Sequence, residues 1–282
     1  MRSVLITGGA GFFGRGFARA ALGAVAERVC IYSRDEAKHA AMAQEFGNDA
    51  RLRFFLGDIR DADRLARAMR GVDVVIAAAA LKRIETCFYN PAEVVKTNIV
   101  GTMNTIEAAE LAGVRKVVLV STDKAANPVS IYGQSKATAE GLMLAANNSR
   151  GANGPLFSVC RFGNVWCSTG SIVPRWRAMI SAGAKRVPVT DPDCTRYFMR
   201  IEDAARLVHD TASTPDGGEL SIPDLPAYRV GDLAEAMGVG VDVIGLPDFE
   251  KRHETMDGVT HSDAARRMSI DELKEALNAV AA

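Results

Sequence analysis

The chain has 282 residues, with 34 Lys+Arg balanced by 34 Asp+Glu at a formal net charge of zero. That length holds one large α/β domain or two ordinary ones, and 48% hydrophobic with 24% charged residues excludes a disordered chain. Zero net charge with scattered basic residues gives no electrostatic basis for nucleic acid or an anionic membrane as partner.

The N-terminus runs straight into strand-like Val4-Leu5-Ile6, without a signal-peptide layout. The longest apolar run, Val74 to Leu81, is far short of the roughly 18 residues a membrane span needs. Cys30, Cys87, Cys160, Cys167 and Cys194 are odd in number and widely spaced, and the histidines show no zinc spacing. These features predict reduced thiols, no metal and a cytoplasmic location.

Predicted strands are Ser3 to Ile6, Arg28 to Tyr32, Leu52 to Leu56, Val74 to Ala77, Lys116 to Ser121 and Phe157 to Phe162. They are rich in Val, Ile, Leu and Phe and barely alternate, as strands covered on both faces should be. Between them the pattern predicts helices over Gly14 to Ala24, Ala37 to Phe46, Asp61 to Met69, Pro91 to Ala112 and Ile131 to Asn147. Such alternation means right-handed βαβ units and a doubly wound parallel sheet of Rossmann type. Beyond about residue 166 prolines and glycines break the pattern, leaving helices over Glu202 to Thr211, Val230 to Met237 and Ile270 to Val280. The expected division is a dinucleotide-binding domain over 1–165 and a smaller substrate-binding lobe over 166–282, with 196–212 returning to the first domain.

Strand 1 ends in a Gly-x-x-Gly-x-x-Gly turn, Gly8, Gly11 and Gly14, with Phe12 and Phe13 between the last two. Glycine permits the tight turn, the close approach of a pyrophosphate and the packing of helix on strand, while the helix N-terminus attracts the phosphates. An NAD site carries an acid at the end of strand 2. Here Ser33 and Arg34 offer a hydroxyl and a planar cation, which suits the 2′-phosphate of NADP; Asp35 on the ribose is the NAD alternative. Asp58 and Ile59 follow strand 3, where adenine would lie, and Ala78 and Ala79 are small enough to let a cofactor approach.

Strand 5 ends at Thr122-Asp123-Lys124, followed by Tyr132 and Lys136, four residues apart on one helix face. An ammonium beside a phenol favours phenolate, so Tyr132 is a candidate base toward a sugar hydroxyl and Lys136 its partner.

At these residues the sequence resembles the extended short-chain dehydrogenase/reductases, and more narrowly the inverting UDP-N-acetylglucosamine 4,6-dehydratases. The resemblance rests on Ile6 to Gly11, Tyr32 to Glu36, Arg53 to Asp58, Ala78 to Lys82, Arg161 to Val165 and, most specific, Ser121-Thr122-Asp123-Lys124-Ala125-Ala126-Asn127-Pro128 with Tyr132 and Lys136. It implies that Tyr132 takes the 4-hydroxyl proton while NADP takes the C4 hydride, with Thr122 orienting that hydroxyl. Lys124, its pKa lowered by desolvation and cationic neighbours, would remove the C5 proton. Asp123, kept protonated, would donate to the departing 6-hydroxyl, and hydride would return to C6. Inversion at C5 is a variant the same residues allow. By the same resemblance Lys82 and Asn98 join the cofactor set, and Lys82 and Asn164 the set for a UDP-sugar, in a homo-oligomer; Arg196 and Arg252 are added to the UDP-sugar set on their charge alone.

Besides Arg83-Ile84-Glu85, which follow Lys82 where the family continues with His and small or apolar residues, three positions depart from the family pattern. Cys167 stands for a glycine, Thr169 for an arginine, and Pro247 for the arginine of an Arg-Pro-Gly-Glu-Lys-x-His-Glu stretch matched by Pro247 to Glu254. Arg252 or Arg196 are the candidates to replace that last charge. Two other functions compete. A 4-epimerase would use Thr122, Tyr132 and Lys136 without an acid–base pair, and a non-catalytic NADP-binding sensor would keep only the fold.

Overall fold

A computed structural model describes residues 1–279. Parallel strands β1 (Ser3–Thr7), β2 (Arg28–Ser33), β3 (Leu52–Leu56), β4 (Val74–Ala77), β5 (Lys116–Thr122) and β6 (Leu156–Phe162) follow the predicted runs within one or two residues. With the short β10 (Leu220–Ser221) they make a seven-stranded sheet in the order β10-β6-β5-β4-β1-β2-β3. Every pairing in it is parallel. The order reverses beside β1, between β2 and β4, and such a switch point opens a crevice at the carboxyl ends of the strands.

Helices α1 (Phe12–Gly23), α2 (Glu36–Glu45), α3 (Ala62–Ala68), α6 (Gly101–Ala112) and α7 (Ile131–Ser149) cover the sheet. The stretch predicted as one helix from Pro91 is α5 (Pro91–Val94), a wider π-helical turn over Val95–Val100, then α6. Two apolar layers pack the faces. One joins Val4, Ile6, Phe17, Ile31 and Val118; the other joins Leu5, Val75, Val117, Met143 and Phe157.

Strands β7 (Asn164–Val165), β9 (Thr195–Met199) and β11 (Ala227–Arg229) form a second sheet, and β8 (Arg186–Val189) pairs with β12 (Gly240–Val243). A separate apolar cluster fills this part around Trp166, Trp176, Tyr228 and Leu273. The Trp166 indole donates to the Ala276 carbonyl at 3.1 Å, so both tryptophans serve packing here. Helix α9 (Ile201–Ser213) lies against α1, where Ile201 fills the space left by the absent Cβ of Gly16. Helices α4 (Ile84–Tyr89), α8 (Ile172–Ser181) and α10 (Val230–Ala236) complete the lobe side of the cleft and the lobe itself. The last helix, α11, runs Ile270–Ala279; Val280, its predicted end, lies outside the described residues.

Among the described residues, no helix is long and apolar enough to cross a membrane.

Candidate active site

A cleft of about 750 Å³ runs along the carboxyl ends of the sheet strands. Its lining includes Gly8, Gly11, Phe12, Phe13 and Gly14, then Ala78, Ala79 and Lys82, then Thr122, Asp123, Lys124, Tyr132, Lys136 and Asn164. A second cleft of about 610 Å³ continues from it past Ser33, Arg34, Asp58 and Ile59. Gly8, Gly11, Lys38 and Ala79 border both.

The glycine turn builds one end of this groove. Gly8 has φ of +67°, a region that favours glycine. A Cβ on Gly14 would fall 2.5 Å from the Gly9 Cα, so only glycine lets α1 close on the turn. Gly11 caps α1 with extended backbone and no side-chain hydrogen bond, and the first turn of α1 carries no acid. The leading amides of α1 are therefore uncapped by the protein and open to an anion. The Thr7 hydroxyl accepts from the amides of Ala78 and Ala79 at 3.1 and 3.2 Å and holds the facing wall. The residues present thus fit a dinucleotide.

The far end of the groove holds the candidate catalytic residues. Thr122 ends β5, and its hydroxyl accepts the Lys124 amide and donates to Asp123 Oδ1 at 2.9 Å. Lys124 Nζ donates to the same Oδ1 at 3.2 Å. Asp123 is fully buried, and its Oδ2 has no hydrogen-bond partner among the described residues. Burial pushes its pKa up; Lys124 pulls it down and Glu254 adds to the rise. Ser130 caps α7 by accepting the Gly133 amide, and a Cβ on Gly133 would overlap the Lys124 carbonyl. This lets α7 lie directly on the turn and brings Tyr132 close to Asp123 and Lys124, with Lys136 lining the same cleft.

A family model described as "Polysaccharide biosynthesis protein" matches residues 4–276. The chain belongs to that family. The chain is 43% identical over 258 residues to the UDP-N-acetylglucosamine 4,6-dehydratase (inverting) of Campylobacter jejuni subsp. jejuni serotype O:2, covering 90% of this chain and 77% of that protein. A UDP-glucose 4-epimerase of Rickettsia canadensis is 35% identical over 275 residues, 94% of this chain and 80% of that one. Among solved structures, Pen from Bacillus thuringiensis superposes with a TM-score of 0.93 at 31% identity, covering 99% of this chain and 98% of its own.

Within this family member, three predicted ligand-binding residues lie off the cleft. Asn98 sits in the π-helical turn, where its amide donates to the Leu81 carbonyl and the Ser135 hydroxyl and its oxygen accepts the Leu81 amide, each at 2.9 Å. Its polar atoms are spent on shaping the wall. Arg196 is buried beneath the site, donating to the Thr195 and Arg252 carbonyls and paired with Glu250. Arg252 points outward and pairs with Asp191 and Asp193. Lys82 and Asn164 do border the cleft, and the buried Asn164 Oδ1 has no hydrogen-bond partner among the described residues.

Two charge expectations are also corrected. Burial does pull the Lys124 ammonium down, but Asp123 and Glu254 outweigh it and push its pKa above the usual lysine value. Burial pushes the Tyr132 phenol up to about 12; the groups opposing it are Lys124 and Thr122, not Lys136. Lys136 instead donates to the Val120 carbonyl at 2.8 Å, and burial lowers its pKa to about 8.

At the cofactor end, the Ser33 hydroxyl lies 2.6 Å from His39 Nε2 and Arg34 pairs with Asp58 at 3.3 Å. Asp35 caps α2 and pairs with Lys38. Sequence reasoning missed Lys38, Lys251 and Glu254. Only the Lys-x-His-Glu match over Lys251 to Glu254 pointed toward the last two, and it carried no role. Cys167, in a family glycine position, holds φ of +55°.

Proposed function

We propose that the chain is a nucleotide-sugar 4,6-dehydratase acting on UDP-N-acetylglucosamine or a close sugar nucleotide, with NADP as resident cofactor. The observation that carries this reading is the buried Asp123, its Oδ2 free, beside Lys124 on a turn that shares one cleft with Thr122 and Tyr132. A 4-epimerase needs no acid and base at C6 and C5.

NADP, when bound, would supply the hydride acceptor for C4 and return the same hydride to C6. Thr122 orients the 4-hydroxyl and Tyr132 takes its proton. The ketone formed at C4 acidifies the C5 proton. Lys124, as the amine, removes that proton. Asp123, whose burial favours the neutral acid, gives its Oδ2 proton to the departing 6-hydroxyl, which leaves as water. C5 then regains a proton, and delivery to the opposite face inverts it. Lys136, anchored on Val120, would hold the nicotinamide ribose.

NADP rather than NAD is supported by Ser33, Arg34 and Lys38 around the second cleft, with the Asp35 carboxylate already engaged by α2. We assign residues 1–165 to cofactor binding and 166–282 to the substrate, with 196–212 returning to the first domain through α9 on α1. A homo-oligomer is supported by the exposed apolar residues Val95, Val100, Met103 and Leu111; sedimentation tests it.

The deciding experiment is proton NMR in D₂O with NADP and UDP-N-acetylglucosamine. A 4-keto-6-deoxy product carrying deuterium at C5 is expected. An unchanged spectrum from protein with cofactor bound refutes the reading. A C4 epimer that keeps its 6-hydroxyl and C5 proton assigns the epimerase instead.

A further inference from the structure

The segment Glu250 to Glu254 reaches the catalytic turn from far along the chain. Glu254 Oε1 lies 3.2 Å from Lys124 Nζ, the same distance as Asp123 Oδ1 on its other side. Glu254 is 1% exposed. Its backbone amide donates to the Ser262 hydroxyl at 3.0 Å, and its Oε2 pairs with Lys251 Nζ at 2.9 Å. Lys251 also donates to the Ala126 carbonyl at 2.9 Å, so one segment grips both the backbone of the turn and its lysine. Glu250 holds Arg196 against the same segment through the Arg252 carbonyl.

We propose that Glu254 is a positioning residue that sets the place and the charge of Lys124 in the acid–base step. This rests on the dehydratase reading, in which Lys124 acts at C5. No polar partner other than Asp123 and Glu254 contacts Lys124 Nζ among the described residues. The other charged or titratable groups facing it are Tyr132 from α7, Arg196 from β9 and Lys251 from the same segment as Glu254. Tyr197 and Tyr228 complete the ring of titratable groups around the pair. A carboxylate this close stabilises the ammonium that forms when Lys124 takes the C5 proton. It also keeps the lysine protonated at rest, so the amine becomes available only as pH rises.

The test compares Glu254→Gln and Glu254→Asp with the unaltered protein. Competitive acetylation of the full chain across pH, read by peptide mass spectrometry, gives the Lys124 pKa without turnover. Loss of one close carboxylate should lower it by about one to three units in the glutamine variant, while the aspartate variant stays near the parent. In turnover, the rise of kcat with pH that follows the free Lys124 amine should begin at lower pH in Glu254→Gln, by the same one to three units, and stay near the parent's in Glu254→Asp. KM should stay within about twofold, since Glu254 does not border the cleft.

An unchanged Lys124 pKa in Glu254→Gln overturns the proposal. So does a kcat–pH profile that does not move in Glu254→Gln, or an effect expressed wholly in KM. An aspartate variant as displaced as the glutamine variant overturns it too, since the charge would then not be the cause. If the parent protein makes no 4-keto-6-deoxy product, the dehydratase reading fails, while the acetylation still judges Glu254 by itself.

Discussion

Gly11→Ala should separate cofactor binding from folding. Gly11 has φ of −79° and ψ of 175°, which alanine adopts freely. Its new Cβ would meet only the Gly8 carbonyl oxygen, at 3.0 Å, so a shift of a few tenths of an ångström accommodates it. Stability should change by no more than about 1 kcal/mol. The same methyl projects where a pyrophosphate must approach the uncapped amides of α1. Losing two charge-assisted amide bonds costs about 3 kcal/mol, on the order of 100-fold in Kd. Gly14→Ala is the contrast. Its Cβ would lie 2.5 Å from the Gly9 Cα, about 1 Å inside normal carbon contact, and backbone must move to relieve it. That costs about 1–3 kcal/mol of stability as well as affinity. Calorimetric titration with NADP, paired with urea unfolding, reads both quantities. A Gly11→Ala protein that binds NADP as tightly as its parent would falsify the placement of the phosphates at α1.

Other substitutions probe the catalytic turn and its supports. Asp123→Asn removes the acid but leaves Tyr132 and Thr122, so C4 oxidation should proceed and elimination should not. Absorbance at the reduced-nicotinamide wavelength should then build up on adding substrate, with kcat down on the order of 100-fold or more; no such build-up would remove Asp123 from the elimination step. Arg161 pairs with the buried Glu140 and donates to the Met256 carbonyl. Arg161→Met should destabilise by about 3–5 kcal/mol by stranding Glu140, and Glu140→Leu added to it should recover most of that; urea unfolding of the single and double variants checks it. Glu254, held near a pKa of about 2 against an ordinary 4.5, contributes stability that is present above pH 4.5 and lost as pH falls toward 2. About 2 kcal/mol of it should be gone by pH 3 in the parent relative to Glu254→Gln; parallel urea curves at pH 6 and pH 3 refute this if the two proteins lose stability equally.

Local chemistry made much of the molecule legible in its residues. The six main strands announced themselves because a strand buried on both faces must be apolar along its length. The glycine turn was readable because only glycine tolerates the Gly8 dihedral and the Gly14 approach. Tyr132 and Lys136 share a helix face by spacing alone, and Thr122 to Lys124 follow their strand directly. Irregular elements were harder. Helices α4 and α8 and the short strands β7 to β12 lack a long period, and the π-helical turn at Val95–Val100 is set by Asn98 gripping Leu81 rather than by any local signal.

The amino-acid sequence by itself therefore determined the sheet, the glycine turn and which candidate side chains share the helix face and strand end, because each depends on neighbours within a few residues. Tertiary structure alone decided which charges meet. Arg196 and Arg252 carry suitable chemistry but are drawn to Glu250, Asp191 and Asp193, away from the cleft. Glu254 and Lys251 arrive under Lys124 only when the chain folds back. Lys124 is raised rather than lowered for that reason, since a buried ammonium answers to the sum of the charges around it, and that sum is assembled by long-range packing.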